Sequence, residues 1–407
     1  MKRGFVKRVA SFFAFFCVVF IPFPFNISKV QLPVTEFIFG DLIGFVSSTI
    51  FGRPLTDTHV HSDTIAMYVL VLLLFFIAVI VSLVLLQLKK WPLFRDKVFA
   101  FIYRLLVYYL ALQLLKYGLD KVFKNQFYLP EPNTLYTPVG RIPKDLLYWT
   151  SMGTSYFYNI FLGSLETLAA IFILIKRTRL PGLLLSLFIM INVVAVNFGF
   201  DISVKLLSLL LLFLTLYLLA PYIKSLYQFF FTQQAVTGKP NFGEAVLIRN
   251  RFLSACLKWF ASGIIFLEAF YPVMKTGNFN GDKAARPYMH GAYEVTRYIS
   301  GTDTLEPARF PAKRFFIHRD SYMIFQDRED GMMDYKLSYD MDKHEYVLTD
   351  YQLHKTSIHF NYNESDSILI IQYSKDGKAF LLGGKALDWK KLPAVRKNFH
   401  WTVDGGE

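Results

Sequence analysis

The chain has 407 residues, 54% of them apolar, with 42 Phe and 24 Tyr and only 18% charged, well below the roughly 25% of an ordinary soluble domain. That balance excludes a disordered chain and argues against a soluble globular enzyme. The net charge is +13 and uneven: residues 1–272 hold 25 Lys and Arg against 12 Asp and Glu, and residues 273–407 hold 19 of each, so the basic excess reads as a membrane-topology signal and not as a nucleic-acid one.

A spanning helix needs about 20 mostly apolar residues to cross roughly 30 Å of hydrocarbon. Seven segments meet or approach this: 9–26, 64–88, 98–117, 156–175, 180–198, 202–221 and 253–272. The strongest is the second, with no Asp, Glu, Lys, Arg or His from Ile65 to Leu88. The first is interrupted by Pro22 and Pro24 and preceded by Lys2, Arg3, Lys7 and Arg8, as in a signal peptide. No small-x-small cleavage site follows, so an uncleaved anchor is expected. Segments 1–8, 89–97, 176–179 and 222–252 together carry 15 Lys and Arg against only Asp96 and Glu244. The positive-inside bias then predicts a cytoplasmic N-terminus and an extracytoplasmic 273–407.

Between the first two spans lies Asp57-Thr58-His59-Val60-His61-Ser62-Asp63. His-x-His with carboxylates is half of a zinc or iron site, so an exposed loop and no metal are expected. Cys17 and Cys256 form neither a disulfide framework nor a CxxC pair.

Inside the spans, ionisable side chains are costly and call for partners. Arg104 lies six residues, roughly 9 Å, into the third span, and Glu166 ten residues, roughly 15 Å, into the fourth from the opposite face. These depths predict an Arg104–Glu166 pair, read either as a structural lock or as a proton or ligand site. Lys116, Asp120, Lys121, Gln126, Asn197, Asp201 and Lys205 should gather near the outer interface. They are either interfacial anchors or a polar mouth for a lipid-soluble headgroup such as a quinone, whose carbonyls need donors beside an apolar channel.

Beyond the last span, six short aromatic and β-branched runs (314–326, 332–339, 344–351, 356–362, 367–374 and 378–387) predict an antiparallel meander, a sandwich or a small barrel. Asp376-Gly377 marks a hairpin. Residues 273–313 read as a linker with a helical piece near 284–299, and His318, His344, His354 and His359 as solvated strand histidines. The predicted fold is α+β: a helical membrane bundle of about seven spans followed by a small antiparallel β domain.

The stretch 104–231 resembles the DoxX-like family of small membrane proteins in the form found in Bacteroidetes-type bacteria. The matching text is Tyr117-Gly118-Leu119-Asp120-Lys121-Val122-Phe123, Gly163-Ser164-Leu165-Glu166, Met190-Ile191-Asn192-Val193-Val194, Asn197-Phe198, Asp201-Ile202-Ser203-Val204-Lys205 and Leu218-Leu219-Ala220-Pro221. Ser62-Asp63-Thr64 is similar to the family's Gly-Asp-Thr, and Phe399-His400-Trp401 to its closing motif. The resemblance implies a four-helix core at 98–231, after a two-span region at 1–97 and before a cytoplasmic loop and seventh span at 232–272, the linker at 273–313 and the β-rich 314–407. It implies a bacterial inner membrane and recurring polar positions at Arg104, Lys121, Glu166, Asn197, Asp201 and Lys205, which with Asn192 are the expected ligand-binding residues. Some relatives are membrane subunits of quinone-linked oxidoreductases, and most have no assigned activity. The chain has no haem CxxCH and no Rossmann glycine pattern, so a redox centre would belong to bound quinone or to an envelope partner. Two functions are therefore expected. One is a quinone-interacting accessory subunit of an envelope redox system. The other is a non-catalytic binding or assembly protein acting through its β domain.

Overall fold

The computed structural model describes residues 2–23, 25–27, 29–52, 60–232, 250–301, 303–340, 342, 345–375 and 378–396. The chain divides into two compact units, Met1–Gln126 with Phe157–Phe279, and Phe127–Tyr156 with Asn280–Glu407.

The first unit is helical. Its helices are α1 (Lys2–Phe20), α2 (Gln31–Phe51), α3 (Ile65–Gln87) and α4 (Trp91–Val122). Between α4 and the rest, the chain forms two helices of the other unit, α5 (Pro132–Leu135) and α6 (Lys144–Thr154). The bundle resumes with α7 (Tyr156–Leu174), α8 (Arg179–Gly199), α9 (Lys205–Leu219), α10 (Ile223–Tyr227) and α11 (Arg251–Thr276). Among the described residues, seven helices are long and apolar enough to cross a membrane. Six correspond to the second to seventh segments expected. The remaining one is Gln31–Ile50, within a stretch read as loop, whereas 9–26 falls largely within α1. In hydrocarbon every backbone N–H and C=O must be paired within its own segment, so apolar runs of this length become helices.

α4 is the hub, with 67% of its most apolar window buried against 17% for α11. α1 and α9 run antiparallel beside it: Phe13 meets Phe213 and the Ser11 hydroxyl lies 2.6 Å from that of Tyr217. At the far end of α4, Gly118 faces Gly163 of α7 so closely that a Cβ on Gly163 would stand 2.5 Å from the Gly118 carbonyl oxygen. Larger residues there would hold the two helices apart.

Asp63 has a structural task that its place in a polar loop did not suggest. Its two carboxylate oxygens accept from the backbone N–H groups of Lys205 and Leu206, at 2.8 and 2.9 Å, capping α9 from outside that helix. Thr64 caps α3 by accepting from the Met67 N–H. Ser62 precedes them at φ 45°, the left-handed region in which glycine is unstrained. Charge-assisted bonds of this kind contribute about 1.5–3 kcal/mol. Asp63→Ala should therefore lower the thermal midpoint of the detergent-solubilised chain by several degrees, with Asp63→Asn intermediate. An unchanged midpoint would remove this role.

The second unit is built on a nine-stranded antiparallel sheet. Its strands are β1 (Gly291–Ser300), β2 (Asp303–Leu305), β3 (Ala312–His318), β4 (Tyr322–Asp327), β5 (Met332–Asp340), β6 (Glu345–Thr349), β7 (Lys355–Asn363), β8 (Ile368–Lys375) and β9 (Lys378–Leu387). β3 to β9 follow one another in order, and β1 pairs with both β3 and β9, which closes an eight-stranded barrel with β2 as a short flap on β1. The stretch read as a linker with a helix near 284–299 is thus the closing strand. Its β-branched and aromatic alternation outweighed a helical pattern once both neighbours were available to pair. An eight-stranded barrel is just wide enough for side chains to fill it, and Tyr293, Phe315, Tyr346, Phe360 and Leu382 do so here. Phe315 stacks on Tyr293 at 5.0 Å, in space that a side chain on Gly384 would occupy.

Candidate functional site

The end of α4 collects charge. Lys116, Lys121 and Lys124 are all buried, at 9, 7 and 1% exposure. The Lys121 ammonium lies 3.0 and 2.8 Å from the two carboxylate oxygens of Glu166 on α7 and 5.7 Å from the Tyr117 ring centroid. Lys116 sits over the Phe23 ring at 5.1 Å, within reach of the charges of Asp120 and Glu268. Glu268 in turn accepts from the backbone N–H groups of Asn26 and Ile27, which fixes the turn after α1. Lys121 and Glu166, and Lys116 with Asp120 and Glu268, therefore offset one another in an apolar surround, as buried charges must.

The partner of Glu166 is Lys121, which corrects the expected Arg104–Glu166 pair. Arg104 precedes Lys121 on α4 by 17 residues, about 25 Å along the axis. Residue counts from the span starts do not give relative depth, because the helices differ in length and in where they touch. α4 has 32 residues, about 48 Å, and overshoots the hydrocarbon. The Gly118–Gly163 contact then sets Glu166 level with its far end. Arg104 belongs instead near the opposite end, where its charge and that of Arg179 act on Tyr108, and where Tyr103 meets Tyr222 and Arg179.

The other expected site residues are dispersed. Asn192 is exposed on α8. Asn197 is buried and donates to the Val204 carbonyl at 3.5 Å, in the α8–α9 turn. Asp201, with φ 53° and an exposed side chain, accepts from Lys205 at 2.7 Å, an i, i+4 pair beside the Asp63 cap. Asn197, Asp201 and Lys205 shape helix ends, and none of these residues joins Lys121 and Glu166.

Deeper along α4 lie Tyr109 and Gln113, one turn apart, with Gln113 wholly buried. Among the described residues, the Tyr109 hydroxyl and both amide atoms of Gln113 have no well-formed hydrogen bond, although the two side chains lie near each other. Buried polar groups left unpaired cost roughly 1–3 kcal/mol each. With Tyr117 and Lys121 they make one polar stripe, recurring every four residues, on the most buried helix of the bundle.

The second unit holds its own buried charge cluster, which the sequence reading missed. Glu131, only 3% exposed, accepts from His290 Nε2 at 2.6 Å and from the Arg319 backbone N–H at 3.2 Å, with Arg286 at 3.8 Å. Arg319 lies over the Tyr128 ring at 3.8 Å, and Trp389 meets His290 edge-on. Burial alone would raise the Glu131 carboxyl, but the His290 hydrogen bond and the charges of His290, His318 and Arg286 outweigh it and hold the group below its ordinary range. His318 is pushed below its usual value by burial, against the pull of Glu131 and Asp320. It is 17% exposed and so is not a solvated strand histidine, whereas His359 on β7 is, at 65%, and His354 is solvated, at 78%, just before that strand. Glu131 and His290 are 159 residues apart, and no spacing rule connects them. The one local cue was a carboxylate set between Pro130 and Pro132.

His59, His344 and the 398–401 motif lie outside the described residues; His61 is exposed.

No family model matches the chain, and no solved structure matches it. A stretch of 111 residues, 27% of the chain, is 37% identical to the uncharacterized protein YwoB of Bacillus subtilis (strain 168) and covers 70% of that protein.

Proposed function

We propose that this chain, which belongs to the family of the Bacillus subtilis protein YwoB, is a DoxX-like, quinone-interacting membrane protein that serves an envelope redox partner. It resides in a bacterial inner membrane with its N-terminus in the cytoplasm and its β unit outside. The observation that carries this reading is Gln113, a fully buried amide with neither atom hydrogen-bonded, in a stripe with the equally unsatisfied Tyr109 hydroxyl. A quinone fits these residues chemically. Its carbonyls accept from the Tyr109 hydroxyl or the Gln113 amide, and a quinol hydroxyl donates to the Gln113 carbonyl. When bound, the quinone supplies the electron-carrying capacity that the chain lacks. The chain's own groups orient the headgroup and exclude water, and the Lys121–Glu166 pair holds a proton at the outer end of the stripe.

The test is lipid extraction and difference spectroscopy on the purified chain, with Gln113→Leu as the decisive variant. Removing an unpaired buried amide should leave stability unchanged or improved, so loss of function through unfolding is not expected. Quinone should co-purify with the unmodified chain at near one per molecule and fall at least tenfold in Gln113→Leu. No co-purifying quinone, or equal amounts in both, would overturn the reading.

A second reading, a non-catalytic assembly role, draws on the filled barrel. With its interior occupied by its own side chains, the β unit would engage a partner through its outer surface.

A further inference from the structure

We infer that α2 does not cross the membrane but lies in the plane of the leaflet at the end where α4 terminates, bound to the boundary between headgroups and acyl chains. By length and composition α2 qualifies as a span. Its anchoring excludes that. On the entering side, Phe23 packs on Tyr117, and Glu268 fixes the turn at Asn26 and Ile27. All of this lies at the far end of α4. On the leaving side, Asp63 caps α9 at Lys205. α9 runs antiparallel to α1, with Tyr217 beside Ser11 and Phe213 beside Phe13, so Lys205 lies level with the end of α1. The chain therefore leaves the bundle and returns to it at the same end.

A spanning α2 would have to return within the eight steps from Gly52 to Val60, at most about 29 Å of extended chain. That falls short of the roughly 30 Å of hydrocarbon, and an unpaired extended backbone is not tolerated there.

The contacts of α2 with α1 agree. Gln31, Thr35 and Phe39 span about 12 Å of helix axis, yet all meet Val18, Val19 or Phe20: two carbonyl bonds from Gln31, one from Thr35 at 2.8 Å, and the Phe39–Phe20 ring contact at 5.2 Å. An antiparallel neighbour would advance along α1 at the same rate; α2 crosses it steeply. One face, Thr35, Phe39, Ile43 and Ser47, is buried, while Phe37 and Phe45 are 91 and 67% exposed. A helix with one face on protein and bulky apolar residues on another is suited to an interfacial position. This inference does not depend on the quinone reading, and it decides topology. α1 runs along α4, with Phe12 beside Trp91 and Phe23 beside Tyr117, and so crosses where α2 does not; with α2 in the plane, the two ends of the bundle chain, Lys2 and Phe279, lie on opposite sides of the membrane.

The test uses the full chain in liposomes, with Cys17 and Cys256 replaced by serine and thermal stability checked. Lys29→Cys and Thr49→Cys should both react with an impermeant maleimide from the same side. Nitroxides at Phe37→Cys and Phe45→Cys should report the same shallow depth, within a few ångströms, from oxygen and nickel-chelate collision rates. Labelling of Lys29→Cys and Thr49→Cys from opposite sides, or a nitroxide depth at the bilayer centre, would overturn the inference. The two readouts use different substitutions, so misfolding of one set leaves the other decisive.

Discussion

Glu166→Gln is expected to destabilise the helical bundle by about 3–5 kcal/mol, because it leaves the Lys121 ammonium buried without its carboxylate. Lys121 and Glu166 have side-chain exposures of 9 and 6%, so solvent cannot replace the lost partner. Lys121→Met should cost a similar amount. The double variant, Lys121→Met with Glu166→Leu, should recover most of the loss, since a buried ion pair replaced by apolar residues of similar volume is often neutral or stabilising. Thermal unfolding of the four proteins in one detergent gives the coupling energy. Measuring co-purified quinone in the same preparations separates the two roles that the pair could have. A double variant that folds as well as the parent and still holds quinone confines the pair to a structural lock. One that folds but no longer holds quinone makes it part of the site. A double-variant loss equal to the sum of the two single losses would contradict the contact itself.

Glu131→Ala should be the most damaging single change in the β unit, again by about 3–5 kcal/mol. It leaves His290 and Arg286 facing no carboxylate and strips the Arg319 N–H of its acceptor. Trp389, against His290, is a natural fluorescence reporter of this transition, provided a Trp389→Phe control loses the signal. The pH dependence follows from the same groups. His318 is depressed from an ordinary 6.5, so the unfolded chain takes up its proton first as pH falls below that value, and stability declines from there down to the folded pKa. Glu131 is depressed from an ordinary 4.5. Its contribution is whole above that pH and is lost as the carboxyl protonates in the folded state below it. Two successive acid losses are therefore expected, and Glu131→Ala should abolish the lower one. A stability flat from pH 7 to pH 5 would contradict the His318 shift, and one flat on further acidification below pH 4.5 would contradict the Glu131 shift.

Much of the helical unit was legible in the sequence because a membrane leaves little choice. An apolar run such as Ile65–Gln87 has no way to satisfy its backbone except as a helix. Hairpins were legible where the turn chemistry is local, as at Lys375 and Lys378, which pair across the intervening Asp-Gly. β1 was not legible: a strand in a closed barrel is defined by partners distant in the chain, here β9 about 90 residues away. α2 hid behind its charged residues and its short flanks, since its buried stripe matters only against α1.

The site divides in the same way. That Glu166 needed a partner inside the membrane followed from its chemistry alone, through the cost of an unpaired charge in hydrocarbon, whereas Lys121 read as one of several residues at the outer interface. Which partner Glu166 found did not follow, because relative depth depends on where two helices touch, and that is set by the Gly118–Gly163 contact. Composition and charge order thus determined the class of the protein and the residues under electrostatic stress. Only the tertiary structure decided their pairing, the closure of the barrel and the assembly of Glu131 with His290, since each of these needs two segments brought together from far apart in the chain.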